Sequence, residues 1–151
     1  MKISLVIPCY NEESSIGPCL EAVKAQTRQF DEILVVDNNS TDSTVEVVES
    51  YLGELPIRVL TEERQGVAWA SQRGYDEASG QVIARIDADT RIEPTWARVV
   101  EEFLLAHPEV GGVGGSYWFY DLPRFSFRKS AFANAAKYGS DSSGRCLGLM
   151  G

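Results

Sequence analysis

Apolar residues along most of this chain fall into two alternating patterns. Ile3–Pro8 is a short continuous apolar run, as expected of a strand buried on both faces. Ile16, Cys19, Leu20 and Val23 then recur at i, i+3, i+4 and i+7, which predicts an amphipathic helix over Glu13–Arg28. Glu32–Val36 reads as a second strand. Ser43 with Glu46 fits a capping box, opening a helix whose inner face is Val45, Val48 and Leu52 and which Gly53 and Pro56 stop. Ile57–Leu60 and Gln81–Ile86 read as further strands around a Val67–Ala78 helix. Pro94 suits the first turn of a last helix with Trp96, Val99, Val100 and Phe103 as its stripe. Val110–Gly115 is expected as a fifth strand, extended or followed by Tyr117–Tyr120. Strands alternating with helices of this length predict right-handed βαβ units and a mostly parallel α/β sheet flanked by helices.

Composition narrows the class without changing that picture. The chain has 151 residues, enough for one ordinary domain with a real core, and 44% of them are hydrophobic. A net charge of −8 argues against nucleic acid as a partner. No run approaches the roughly 20 apolar residues of a membrane span, and Met1–Ile7 is too short for a signal peptide, so a cytoplasmic setting is expected. Cys9, Cys19 and Cys146 form no Cys-x-x-Cys pair and have only His107 for company, unlike a zinc site or a disulfide framework. Cys19 falls on an apolar stripe, while Cys9 lies at a strand exit where it can pack or line a pocket. Charge is uneven: residues 1–121 carry −12 and residues 122–151 carry +4. We therefore expect a core over 1–121 and a different, incomplete region over 122–151.

The polar residues that end the strands carry the chemistry. In an open parallel sheet the carboxyl ends of the strands meet in one crevice, where ligands bind. Pro8-Cys9-Tyr10-Asn11-Glu12-Glu13, Asp37-Asn38-Asn39-Ser40, Gln65-Gly66 and Asp87-Ala88-Asp89 all sit at such ends. Asp87 and Asp89, one residue apart, can project to the same side and offer hard oxygen ligands suited to Mg²⁺ or Mn²⁺. Asp37-Asn38-Asn39-Ser40 is turn chemistry before a helix, and it can also present a carboxylate or amide to a base or ribose. Tyr10 can stack on a planar ring or simply pack. Strand alternation puts Arg85 on the same side as Asp87, which predicts a salt bridge.

The run Ile3–Glu13, the stretch Val35–Asp42, Gly66–Gly74 and Ile86-Asp87-Ala88-Asp89, in this order and spacing, resemble family 2 glycosyltransferases. The resemblance covers residues 3 to about 106. It implies a GT-A (Rossmann-like) fold, a nucleotide-diphosphate sugar donor, a divalent metal and inversion at the anomeric carbon. Carried over by position, Pro8, Tyr10, Asn11, Glu12, Asp37, Asn38, Gly66 and Asp87 are implied to bind the donor, with Tyr10 stacking on the base and Asp37 and Asn38 contacting the nucleoside. Asp89, with Asp87, is implied to hold the metal. The acceptor would be a saccharide or a lipid-linked hydroxyl.

The chain departs from the family at several positions. Many members have two acids where this chain has Asp37-Asn38, and Ala-Arg-Asn-x-Gly where it has Ala70-Ser71-Gln72-Arg73-Gly74. Arg64 or Arg73 is the candidate replacement for the displaced basic group. No motif assigns a catalytic base: Asp121 and Asp141 lie in the right region, yet the base is expected beyond Gly151, on a chain that reads as truncated. Residues 117–138 mix aromatics with Arg124, Arg128, Lys129 and Lys137, which reads as surface packing against a further half or as a peripheral contact at the inner face of the membrane. Two other functions stay open: a non-catalytic nucleotide-sugar binding module, and a sugar nucleotidyltransferase. The second would need a glycine-rich loop after the first strand, and Cys9-Tyr10-Asn11-Glu12 has no glycine. A nicotinamide site is disfavoured because Gly111–Gly115 lacks the required glycine spacing.

Overall fold

The computed structural model describes residues 1–114. Four strands form one sheet in the order β3-β2-β1-β4, with β1 Ile3–Cys9, β2 Glu32–Asp37, β3 Ile57–Thr61 and β4 Val82–Arg85. All three pairings are parallel, as the strand–helix alternation predicts. The register sets Ser4 beside Glu32 at one end of the central pair and Cys9 beside Asp37 at the other. Every residue of β1 and β2 is buried, as the continuous apolar run Ile3–Pro8 predicts for β1. The sheet, three helices and the start of the fourth form one compact unit, Met1–Glu102.

Strand alternation divides the core in two. Leu5, Ile7, Ile33 and Val35 face one way and pack with the buried stripe Ile16, Cys19, Leu20 and Val23 of α1 (Ile16–Lys24). Val6, Leu34 and Val36 face the other way, toward Ala70 of α3 (Val67–Glu77). There α3 lies very close to the sheet: a Cβ on Gly74 would sit 2.3 Å from Val6 Cγ1 and 3.2 Å from Val36 Cγ2. That helix face therefore admits no side chain at 74.

Several local expectations are corrected. The first helix is shorter than Glu13–Arg28 because its flanks bond elsewhere. Glu13 N–H donates to Asp42 Oδ2 (3.2 Å) and Thr27 N–H to Pro94 O (2.8 Å). The buried Gln26 side chain donates to Glu93 O (2.7 Å) and accepts from Ala97 N–H (3.0 Å), tying α1 to the start of α4 (Trp96–Ala106). At α2 (Thr44–Glu49) no Ser43–Glu46 capping box forms; Asp42 Oδ1 accepts from Thr44 N–H (3.0 Å) and from its hydroxyl instead. The helix is also rotated from the expected face. Thr44 and Val48 are buried and Val47 and Tyr51 pack on the core, leaving Leu52 48% exposed. This packs the larger Tyr51 ring, half-buried, on the core and places the Thr44 hydroxyl to accept from Glu12 N–H at 2.8 Å.

On α4 the buried residue is Ala97, while Val99 of the expected stripe is 53% exposed. Pro94 lies in the turn just before that helix. Residues 110–114 form no strand, and the rest of the expected fifth strand lies outside the described residues. So do the proposed boundary at 121 and the basic aromatic stretch.

Candidate functional site

The site lies at the carboxyl ends of β1, β2 and β4, on the side of the sheet that α3 covers. Alternation explains the choice of side chains: Pro8 and Tyr10, Asn38, and Asp87 and Asp89 continue the positions that point toward α3, while Ile86 and Ala88 turn into the opposite core. The result is a cavity of about 400 Å³ lined by Pro8, Tyr10, Glu12, Asn38, Asp87 and Asp89 together with the start of α3. The sequence placed these six residues at strand ends, and the fold brings them together along with Gly66.

Two expected residues are not in the lining. Asn11 takes a left-handed conformation (φ 54°), and its Oδ1 accepts from Thr41 N–H at 2.8 Å. Asp37 is buried and accepts from Ser40 N–H at 3.2 Å, so it shapes the turn after β2. Conversely, Val67 and Ala70 line the cavity without having been singled out, and Gln65 and Ala88, named only as members of strand-end segments, line it too. For Ala88 the signal was present, since strand alternation places it between the two acids. For Val67 and Ala70 no local signal exists, because only the packing of α3 brings them there.

The acids differ in their surroundings. Asp87 is well exposed, and its Oδ1 accepts from Arg85 Nη2 at 2.5 Å, the salt bridge that alternation predicts. Arg85 Nε is enclosed and has no hydrogen-bond partner among the described residues. Asp89 is exposed at the cavity edge. Tyr10, at the cavity, is 49% exposed.

The nearby thiols are chemically quiet. Burial pushes both Cys9 and Cys19 up to about 12, and neighbouring acids add to it, Asp37 first for Cys9 and Asp89 first for Cys19. Their buried thiols stay protonated near neutral pH, so neither is a ready nucleophile. Arg64 and Arg73 do not reach this cavity. Arg64 binds Glu62 at 2.8 Å, holding that carboxylate down to about 2, and its guanidinium stacks 4.1 Å over Trp69. Arg73 pairs with Glu77 at 3.3 Å.

Among the described residues no three His, Cys, Asp or Glu side chains cluster as a protein-only metal cage. The two carboxylates of Asp87 and Asp89 do fit Mg²⁺ or Mn²⁺, which bind through one or two carboxylates and fill their remaining positions with water and substrate phosphates. No helix among the described residues is long and apolar enough to cross a membrane.

Comparison with known proteins identifies the family and the fold. The model of glycosyl transferase family 2 matches residues 4–145. Dodecaprenyl-phosphate galacturonate synthase of Rhizobium johnstonii is 37% identical over 100 residues, covering 62% of this chain and 30% of that protein. Among solved structures, S. aureus TarS 1–349 in complex with UDP superposes with a TM-score of 0.68 at 29% identity, covering 73% of this chain and 34% of that one. The mannosyltransferase PcManGT from Pyrobaculum calidifontis, in complex with GDP-Man and Mn²⁺, gives 0.64 at 29% identity, with the same coverage of 73% and 34%. The chain thus spans about a third of the length of these proteins. The neighbours are GT-A glycosyltransferases, and the four-stranded parallel sheet described above is that fold.

Proposed function

Since this chain belongs to glycosyl transferase family 2, we propose that its strand-end cavity is the donor site of an inverting enzyme that moves a sugar from a nucleoside diphosphate to an acceptor hydroxyl. The observation that carries this reading is the convergence of Tyr10, Glu12, Asp87 and Asp89 on one cavity from strand ends far apart in sequence. The half-exposed Tyr10 ring stacks on the base. Asp37 acts one step back, by holding the turn that follows β2. Asp87 and Asp89 lie on the diphosphate side and would be the residues that hold Mg²⁺ or Mn²⁺.

A metal there would neutralise charge that builds on the departing nucleoside diphosphate. The chain's own part is to present two carboxylates from one strand exit, with Ala88 anchored in the core between them at 3% exposure. Ala88 burial keeps both acids at the cavity edge without a long side chain to order. The acceptor hydroxyl, saccharide or lipid-linked, needs a general base. Among the described residues none is assigned that role, and Glu12 belongs to the donor edge.

Calorimetric titration of UDP, GDP and CDP, each with and without Mn²⁺, tests the donor site. Binding of at least one of them that depends on Mn²⁺ supports it; the absence of binding by all three sinks it. The inverting step is read separately, from the anomeric proton coupling of the product formed by the full-length protein.

A further inference from the structure

Asn38 stands where the resemblance calls for a second acid, and its hydrogen bonds give a physical reason for an amide there. The residue directly follows β2, is 3% exposed, and donates its own N–H to Cys9 O at 2.9 Å. Its side-chain Nδ2 donates to Glu62 O at 2.6 Å and to Arg64 O at 2.8 Å. Its Oδ1 accepts from Gly66 N–H at 2.7 Å. The amide orientation follows from these partners, because only a nitrogen can face two carbonyl oxygens. Asn39 completes the pattern by donating from Nδ2 to Glu63 O at 2.8 Å. Three successive carbonyls, of residues 62, 63 and 64, are therefore held by two side-chain amides.

This matters for the pocket because the held segment runs straight into its wall, at Gln65, Gly66 and Val67. Gly66 takes φ 133°, a conformation L side chains rarely adopt, so the chain turns into α3 there only if something fixes the approach. Both Nδ2 protons of Asn38 are spent on that task. A carboxylate in the same place would set an anionic oxygen against two carbonyl oxygens and lose both bonds.

We propose that Asn38 is a positioning residue that acts on the donor through the 62–66 loop, and that it does not read the nucleobase. The proposal rests on the donor-site reading above, and it makes loop order and base preference separable. Replacing Asn38 loosens the pocket wall for every nucleotide alike. A residue that hydrogen-bonds the base would change the preference between nucleotides instead.

The test pairs hydrogen exchange with binding, on wild type, Asn38→Asp and Asn38→Ala. In free wild-type protein the Asn38 side-chain NH₂ and the Gly66 amide exchange slowly, as NMR would show. In Asn38→Asp the amides of residues 62–66 exchange about tenfold faster or more, matching the loss of buried hydrogen bonds. UDP, GDP and CDP, each with Mn²⁺, then weaken by a common factor. Unchanged exchange across 62–66 in both variants overturns the proposal, as does a loss of affinity for one nucleotide with a gain for another. If wild type binds none of the three, the donor-site reading falls while the exchange data still decide the clamp. If the variants do not fold, fast exchange of the wild-type Asn38 NH₂ and Gly66 amide overturns it and slow exchange supports it.

Discussion

At the amino end of the sheet Glu32 is buried and saturated; at the carboxyl end Asp87 and Asp89 are exposed and face a cavity. Glu32 Oε2 accepts from the Ser4 hydroxyl (2.5 Å) and from Ser79 through both its N–H and its hydroxyl (2.9 Å each). Oε1 accepts from Arg58 Nη1 at 3.1 Å. Burial alone would push its pKa up, but these donors outweigh it and hold it down at about 2. Gly80 closes the cluster by donating to Ser4 Oγ at 2.8 Å, and a Cβ there would come within 2.6 Å of Ser4 N. Carboxylates are thus buried into the fold at one edge and exposed beside a cavity at the other. In a parallel sheet all strands begin on one edge and end on the other, so the two roles separate in space.

The comparison can be broken most directly at the open end. Asp89→Asn should lower sugar transfer by the full-length protein by about 10²–10³-fold, since its carboxylate acts where diphosphate charge is held. Thermal unfolding should barely move, because the residue is exposed. A drop in melting temperature large enough to explain the lost activity would put Asp89 in the structural class with Glu32.

At the closed end the pattern reverses. Glu32→Gln should destabilise by about 2–3 kcal/mol in urea denaturation, because a buried set of donors loses its anion. The Mn²⁺-dependent nucleotide affinity should stay as in wild type. Glu32 also sets a pH window. Its pKa is depressed from the usual 4.5 to about 2, so its contribution is complete above 4.5 and is lost as pH falls toward 2. Wild-type stability should therefore decline across that range, and Glu32→Gln should decline less. Parallel declines would show that other carboxylates carry the acid sensitivity.

The smallest effect lies between the two classes, at Asp87. Arg85 occupies one of its oxygens, yet the pair is partly exposed and adds little to stability. Arg85→Met removes both a competitor and a like charge for the metal. Mn²⁺ should bind roughly fivefold tighter, about the worth of one charge at contact distance in water. Weaker Mn²⁺ binding in that variant would mean that Arg85 holds Asp87 in its working position.

Much of this was legible in the chain. The run Ile3–Pro8 and the i, i+3, i+4, i+7 stripe from Ile16 to Val23 depend only on residues a few positions apart, and both were read correctly. The same holds for the polar strand ends that converge on the cavity. Misreadings came where two local solutions compete. Tyr51 and Leu52 sit on adjacent positions in the turn after α2, and contacts with α1, where the Gly17 carbonyl accepts from the Tyr51 hydroxyl at 3.4 Å, decide which faces inward. Glu32 looked like an ordinary strand start, because nothing near it in sequence reveals Ser79 or Arg58.

By itself the sequence determined the strand–helix alternation, the parallel sheet, the family, and which edge would carry the acids. Hydrophobic periodicity and the polar strand ends are short-range properties, so they survive without coordinates. The tertiary structure decided which polar groups are free. Asn38 finds its partners 24 to 28 residues away and Glu32 finds Ser79 47 residues away, through the register of the sheet. A side chain's chemistry depends on which donors and acceptors are left over after folding, and those are assigned only when distant strands are set side by side.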